Sequence, residues 1–160
     1  MTRRAALRDQ RGYYGIGIEN GKNAANIGTL WRTAQTFGAA FIFTIGRRYQ
    51  MQASDTMKSW RHVPLLTYAT FDDFYEHMPY GCQLVGIELD PKATPLESFT
   101  HPQRCVYLLG AEDHGLSSDA RRRCHRLVVL PGEYCLNVSV AGSIALYHRY
   151  AQRRAIEVAA

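Results

Sequence analysis

The 160-residue chain lacks several signatures that would place it quickly. Its four cysteines, at 82, 105, 124 and 135, form no C-x-x-C pair and have no histidine at ligand spacing, which argues against a zinc site or any other bound metal. They are expected to be reduced, mostly buried thiols. No apolar run approaches the ~20 residues that a membrane helix needs. The opening MTRRAALRDQRGYY has no apolar stretch of the kind found in secretory signals, so a cytoplasmic protein is expected. A G-x-G-x-x-G dinucleotide fingerprint is missing, because Gly12, Gly15 and Gly17 are wrongly spaced and fall in a strand-like run. A G-x-x-x-x-G-K-[ST] phosphate loop and a G-x-S-x-G nucleophile elbow are also missing. Three common α/β activities are thereby set aside.

What is present is an ordinary globular composition, 46% apolar and 21% charged, with a formal charge of +5. A single domain over residues 1–160 is expected, since no repeat, low-complexity tract or linker interrupts the chain. Arginine carries most of the positive charge and falls in groups at Arg3/Arg4/Arg8/Arg11, Arg47/Arg48, Arg121/Arg122/Arg123/Arg126 and Arg149/Arg153/Arg154. Such a balance favours a polyanionic partner, because the guanidinium fork grips phosphate bidentately.

Strand and helix patterns alternate. Tyr13–Glu19 (YYGIGIE) and residues 40–45 (AFIFTI) read as strands. Between them Ile27, Leu30, Trp31 and Ala34 recur at helical spacing, with Asn26 placed as N-cap and Gly38 as the stop. Further strands are expected at Leu65–Tyr68, 84–89, 106–109 and 127–130, and helices near 70–78 and 117–124. A last helix opens near Ser139 and sets Val140, Ile144, Tyr147 and Ala151 on one face. This pattern predicts an α/β fold with a mostly parallel sheet covered by helices on both faces. Ligands of such sheets bind beyond the carboxyl ends of the strands.

The loops at those ends are polar and rich in glycine: NGKNAANIGTLWR after the first strand, GAEDHGLSS after residue 109, and PGEYCLN after residue 130. Ser117 or Ser118 is placed to cap the following helix. Asp72 and Asp73 resemble a paired-carboxylate site, but their position at a helix start favours a dipole role. His114 reads as a surface loop residue rather than an acid or base.

Three segments together resemble the SpoU-type (SPOUT) RNA 2'-O-ribose methyltransferases. Asn26, Gly28 and Arg32 match that family's N-x-G-x-x-x-R motif, and Gly110, Glu112, Gly115 and Leu116 match its L-G-x-E-x-x-G-L segment. LPGEYCLNVSVAGSIALYH matches its proline-glycine turn followed by S-L-N-V-S-V-A and a helix. Order and spacing agree along essentially the whole chain. One departure is Cys135, where the family usually has Ser.

The resemblance implies a deep C-terminal trefoil knot, a homodimer and S-adenosyl-L-methionine as cofactor. The cofactor-binding positions carried over are Ile87, Glu88, Leu89, Gly110, Ala111, Glu112, Gly115, Leu130, Pro131, Gly132, Cys135, Leu136, Asn137, Ser139 and Ala141. Arg32, Asn26, Glu112 and Asn137 carry over as the catalytic set, with Arg32 reaching the partner subunit's cofactor. RNA is the implied partner, tRNA more than rRNA because no separate RNA-binding extension is read, with the anticodon wobble position as one target. Arg32, Arg47, Arg48, Lys58 and Arg61 are the expected RNA contacts. Trp60 is placed either to stack on a base or in the core. A non-catalytic RNA-binding or assembly factor is the alternative.

Overall fold

The structure, a computed structural model, describes residues 12–47 and 58–159. The elements in chain order are β1 (Tyr13–Glu19), α1 (Ala24–Phe37), β2 (Phe41–Ile45), β3 (Leu65–Tyr68), α2 (Phe71–Glu76), β4 (Gln83–Ile87), β5 (Thr94–Pro95), β6 (Arg104–Leu109), α3 (Ser118–Arg123), β7 (Arg126–Val129) and α4 (Val138–Ala159). Seven strands form one sheet in the order β3-β2-β1-β6-β4-β7-β5. Every pairing is parallel, as the near-continuous apolar strands predict.

The pleat divides the core. From β6, Tyr107 and Leu109 pack with Ile16, Leu30, Trp31 and Leu146 beneath α1 and α4. Val106 and Leu108 face the other way, onto Phe43, Phe74, Leu116 and Ala120 beneath α2 and α3. Gly15 and Gly17 sit where neighbouring rings occupy the side-chain space: a Cβ on Gly17 would lie 2.4 Å from the Phe43 carbonyl oxygen. Gly12 stands just before β1 with φ +68°, not within the strand.

Helix ends follow the expected chemistry with one correction. Asn23, not Asn26, caps α1, its side chain accepting from Ala25 N–H, while Gly38 closes the helix in the left-handed conformation. Asn26 is thereby released for another role. Ser117 caps α3 by accepting from Ala120 N–H. Thr70 caps α2, and Asp72 and Asp73 occupy its first turn, in agreement with the dipole reading.

One further expectation changes. The α4 face of Val140, Ile144 and Tyr147 is exposed, at 44%, 38% and 59%. The buried side is Val138, Gly142, Ala145, Leu146 and Arg149 instead. Small residues decide this, because a Cβ on Gly142 would stand 2.6 Å from Leu30 Cδ1, so α4 presses close against α1 there. The two-residue strand β5 was not legible as a strand. No helix among the described residues is long and apolar enough to cross a membrane.

Candidate functional site

The carboxyl ends of β4, β6 and β7 surround a cavity of about 500 Å³. That volume is within the range of small-molecule sites. Ile87, Leu109, Leu130, Leu136, Val138 and Ala141 supply an apolar wall, and Glu88, Glu112, Asp113 and His114 supply polar groups.

The loop after β6 is folded tightly enough to expose backbone to this space. Ala111 and Gly115 exchange N–H···O=C bonds at 2.9 and 3.1 Å. A Cβ on Gly110 would lie 1.9 Å from the Gly115 carbonyl carbon, and Gly115 itself has φ +66°. Only glycine satisfies both positions. Carboxylates at the ends of two earlier strands pin the end of this loop: Glu88, just after β4, accepts from Leu116 N–H at 2.6 Å, and buried Glu19, the last residue of β1, accepts from Ser117 N–H and O–H at 2.9 and 2.7 Å.

At the rim, three residues distant in sequence form one hydrogen-bonded chain. Asn26 Nδ2 donates to Glu112 Oε1 at 2.7 Å, and Asn137 Nδ2 donates to Asn26 Oδ1 at 3.0 Å. Asn137 Oδ1 then accepts from Ser139 N–H, Ser139 O–H and Val140 N–H at 2.9, 2.7 and 3.3 Å, capping α4. Glu112 also accepts from Lys22 N–H at 3.2 Å, so its carboxylate sits against the positive end of α1. Partial burial works to raise the Glu112 pKa, but hydrogen bonds from its own amide, from Lys22 and Asn23 N–H groups and from Asn26 outweigh it and hold it below the ordinary value. An ionised carboxylate so occupied is a positioning group rather than a proton acceptor. Lys22 Nζ makes an ion pair with Asp113 across the same rim.

Of the sequence-derived cofactor positions, Ile87, Glu88, Leu89, Gly110, Ala111, Glu112, Gly115, Leu130, Pro131, Cys135, Leu136, Asn137 and Ala141 line the cavity. Gly132 and Ser139 do not: Gly132 turns the chain with φ +145°, and Ser139 is buried behind Asn137. Leu109, Asp113, His114, Tyr134 and Val138 line it as well, each adjacent to a motif residue. Asn26, Glu112 and Asn137 are brought together, whereas Arg32 lies exposed on α1, and its side chain makes no hydrogen bond or ion pair among the described residues. Cys135 is exposed, contrary to the expectation of mostly buried thiols, because the 130–137 segment runs along the open side of the cavity. Arg47, Lys58 and Arg61 are exposed, and Arg48 lies outside the described residues, as does the Arg3/Arg4/Arg8/Arg11 group. Trp60 is 45% exposed rather than in the core, with the Arg61 guanidinium 5.0 Å from its ring centre. His114 is exposed, 3.0 Å from Asp113. No cluster of metal-ligating side chains occurs among the described residues.

The SpoU rRNA Methylase family model matches residues 15–147, and the chain belongs to that family. A curated relative, the tRNA (guanosine(18)-2'-O)-methyltransferase of Escherichia coli K12, is 26% identical over 135 residues, covering 81% of this chain and 59% of its own. Among solved structures, an AdoMet-bound rRNA methyltransferase from Sinorhizobium meliloti superposes with TM-score 0.79 at 25% identity, covering 91% of this chain and 60% of the other. A structure described as giving insights into the 2-OH methylation of C/U34 on tRNA superposes with TM-score 0.79 at 22% identity, covering 91% of this chain and 99% of the other. This last likeness speaks for the fold. The chain spans less than two thirds of the length of the curated relatives it matches.

Proposed function

We propose that the chain transfers a methyl group from S-adenosyl-L-methionine to a ribose 2'-hydroxyl of RNA, with tRNA the favoured substrate. The observation that carries this reading is the Glu112–Asn26–Asn137 chain at the mouth of the β4/β6/β7 cavity. Membership of the family, a curated tRNA 2'-O-methyltransferase relative and an AdoMet-bound neighbour at 25% identity support it. The cavity suits the cofactor: its apolar wall fits a flat adenine, and Glu112 and Asp113 favour cationic groups. Gly110 and Gly115 let backbone approach closely. When bound, S-adenosylmethionine would supply an electrophilic methyl group: the 2'-oxygen–methyl bond forms as the sulfonium–methyl bond breaks, S-adenosylhomocysteine leaves, and the hydroxyl proton is released to solvent water.

The protein's part is positioning. Asn26 and Asn137 hold fixed amides at the rim, and Glu112 locks their orientation. Arg32, free on the outer side of α1, binds a phosphate flanking the reacting nucleotide and stabilises charge developing on the 2'-oxygen. A guanidinium stays protonated, so it acts here as a clamp and not as a base. Exposed Arg47, Lys58, Arg61 and Trp60 provide an RNA-facing surface, and the target includes the anticodon wobble position. The proposed setting is the cytoplasm.

Two architectural features belong to the same reading. The exposed Val140/Ile144/Tyr147 face, flanked by the Phe37 ring packed on Tyr147 and Tyr150 at centroid distances of 6.1 and 5.5 Å, forms the contact of a homodimer. Strand β7 enters between β4 and β5, both earlier in the chain, as expected if the C-terminal segment threads a loop to make a trefoil knot.

The test is the chemical form in which the methyl arrives. After transfer of labelled methyl to bulk tRNA and, separately, rRNA, alkaline hydrolysis leaves label in dinucleotides if the 2'-oxygen is blocked, and in mononucleotides if a base carries it. Label in alkali-resistant dinucleotides from tRNA is the expected result. RNA binding with no cofactor affinity would favour the non-catalytic alternative.

A further inference from the structure

We propose that Lys22 exchanges its carboxylate partner, Asp113, for a backbone phosphate of the incoming RNA, making it a substrate-binding residue at the cavity rim. The inference rests on the methyltransferase reading above. The cavity lining contains Glu88, Glu112 and Asp113 and, among the described residues, no lysine or arginine. A polyanion approaching such a mouth is repelled unless a cation stands at its edge.

Two cations stand there: Arg121, 3.7 Å from Glu88, and Lys22, on the side of Asp113. The Lys22 backbone N–H is held by Glu112 Oε2 at 3.2 Å, so the residue is fixed at the rim while its flexible stem remains free to turn. Its ammonium is paired with Asp113, with side-chain exposures of 52% and 36%. A pair this open contributes little to stability and exchanges readily. Asp113 is not abandoned when Lys22 leaves, because His114 Nε2 lies 3.0 Å from the same carboxylate oxygen. Lys22 also immediately precedes the Asn23 cap of α1, whose first turn carries no acidic side chain, so the helix adds positive potential at this place.

A purely structural latch and a phosphate exchange predict opposite signs for the two partners. Removing either half of a latch loosens the rim in the same way. In an exchange, removing Lys22 weakens RNA binding, while neutralising Asp113 frees the lysine and lessens repulsion. The experiment is fluorescence anisotropy of labelled bulk tRNA with the full chain, over a salt series, for Lys22→Gln, Lys22→Arg and Asp113→Asn. Lys22→Gln is expected to raise Kd about 3- to 10-fold at low salt and to reduce the log–log salt slope by about 0.7–0.9. Asp113→Asn is expected to lower Kd about 2- to 5-fold, and Lys22→Arg to stay near the wild type. Equal weakening by Lys22→Gln and Asp113→Asn, or no change in either, overturns the inference alone. Failure of the wild-type chain to bind tRNA overturns both the inference and the reading beneath it.

Discussion

Asn137 and Asn26, 111 residues apart, share a hydrogen bond of 3.0 Å that ties the start of α4 to the first turn of α1. The same Asn137 caps α4 through Ser139 and Val140. One amide thus joins a structural task to a place at the cavity rim.

Asn137→Ala removes that cap and the inter-helix bond together. A loss of about 1–2 kcal/mol is expected, which for a domain of this size lowers Tm by about 2–8 °C. Asn137→Ser, which retains a capping oxygen, is expected to recover most of this loss while leaving Asn26 Oδ1 without its donor. Thermal unfolding of the three proteins checks the order.

A buried histidine away from the cavity makes stability depend on acid. His101 is 4% exposed; its Nε2 lies 2.8 Å from His148 Nδ1, and its Nδ1 lies 2.5 Å from the Tyr107 hydroxyl. Burial, then the nearby charges of Arg149, His148 and Arg153, pushes its pKa down from 6.5 to about 3. The unfolded chain therefore binds a proton that the folded chain refuses between those two values. Stability is expected to fall as pH falls through that window, with a limiting slope of about 1.4 kcal/mol per pH unit, and to level off below it. Urea unfolding across the window shows a shallower dependence in His101→Gln; identical slopes would rule the group out as the source.

Arg32 separates a clamp from a point charge. Arg32→Ala is expected to lower kcat/KM about 100-fold or more, and Arg32→Lys to recover only a small part, because an ammonium does not reproduce the two-pronged phosphate contact. Near-normal turnover in Arg32→Ala would remove this residue from the mechanism.

Much of this molecule is legible in its residues, for identifiable reasons. Tyr13–Glu19 and Leu65–Tyr68 are bounded as strands by the sequence pattern itself, because apolar and β-branched runs end at turn residues. Gly38, Ser117, Asp72 and Asp73 act at helix ends as their chemistry dictates. The role of Asn26 is different: two asparagines stand within four residues at the start of α1, and only tertiary contact with Glu112 determines that Asn23 caps the helix while Asn26 bonds to that carboxylate. The α4 face is the plainest failure of periodicity. Large apolar residues there lie outside, and the close-packed side is built on Gly142 and Ala145, which carry little hydrophobic signal. Thr94–Pro95 is too short to give any pattern. Lys22 carries no signal of its own in the sequence, because its partners Glu112 and Asp113 stand some ninety residues later in the chain.

The central claim is that the Glu112–Asn26–Asn137 chain orients the ribose, while the β4/β6/β7 cavity holds the cofactor. The most direct measurement is a paired one on Asn26→Ala: calorimetric titration with S-adenosylmethionine, and single-turnover methyl transfer to tRNA. The account predicts cofactor affinity within a few-fold of the wild type and a transfer rate reduced about 100-fold or more. An unchanged transfer rate, or a loss of transfer explained wholly by lost cofactor affinity, would contradict it.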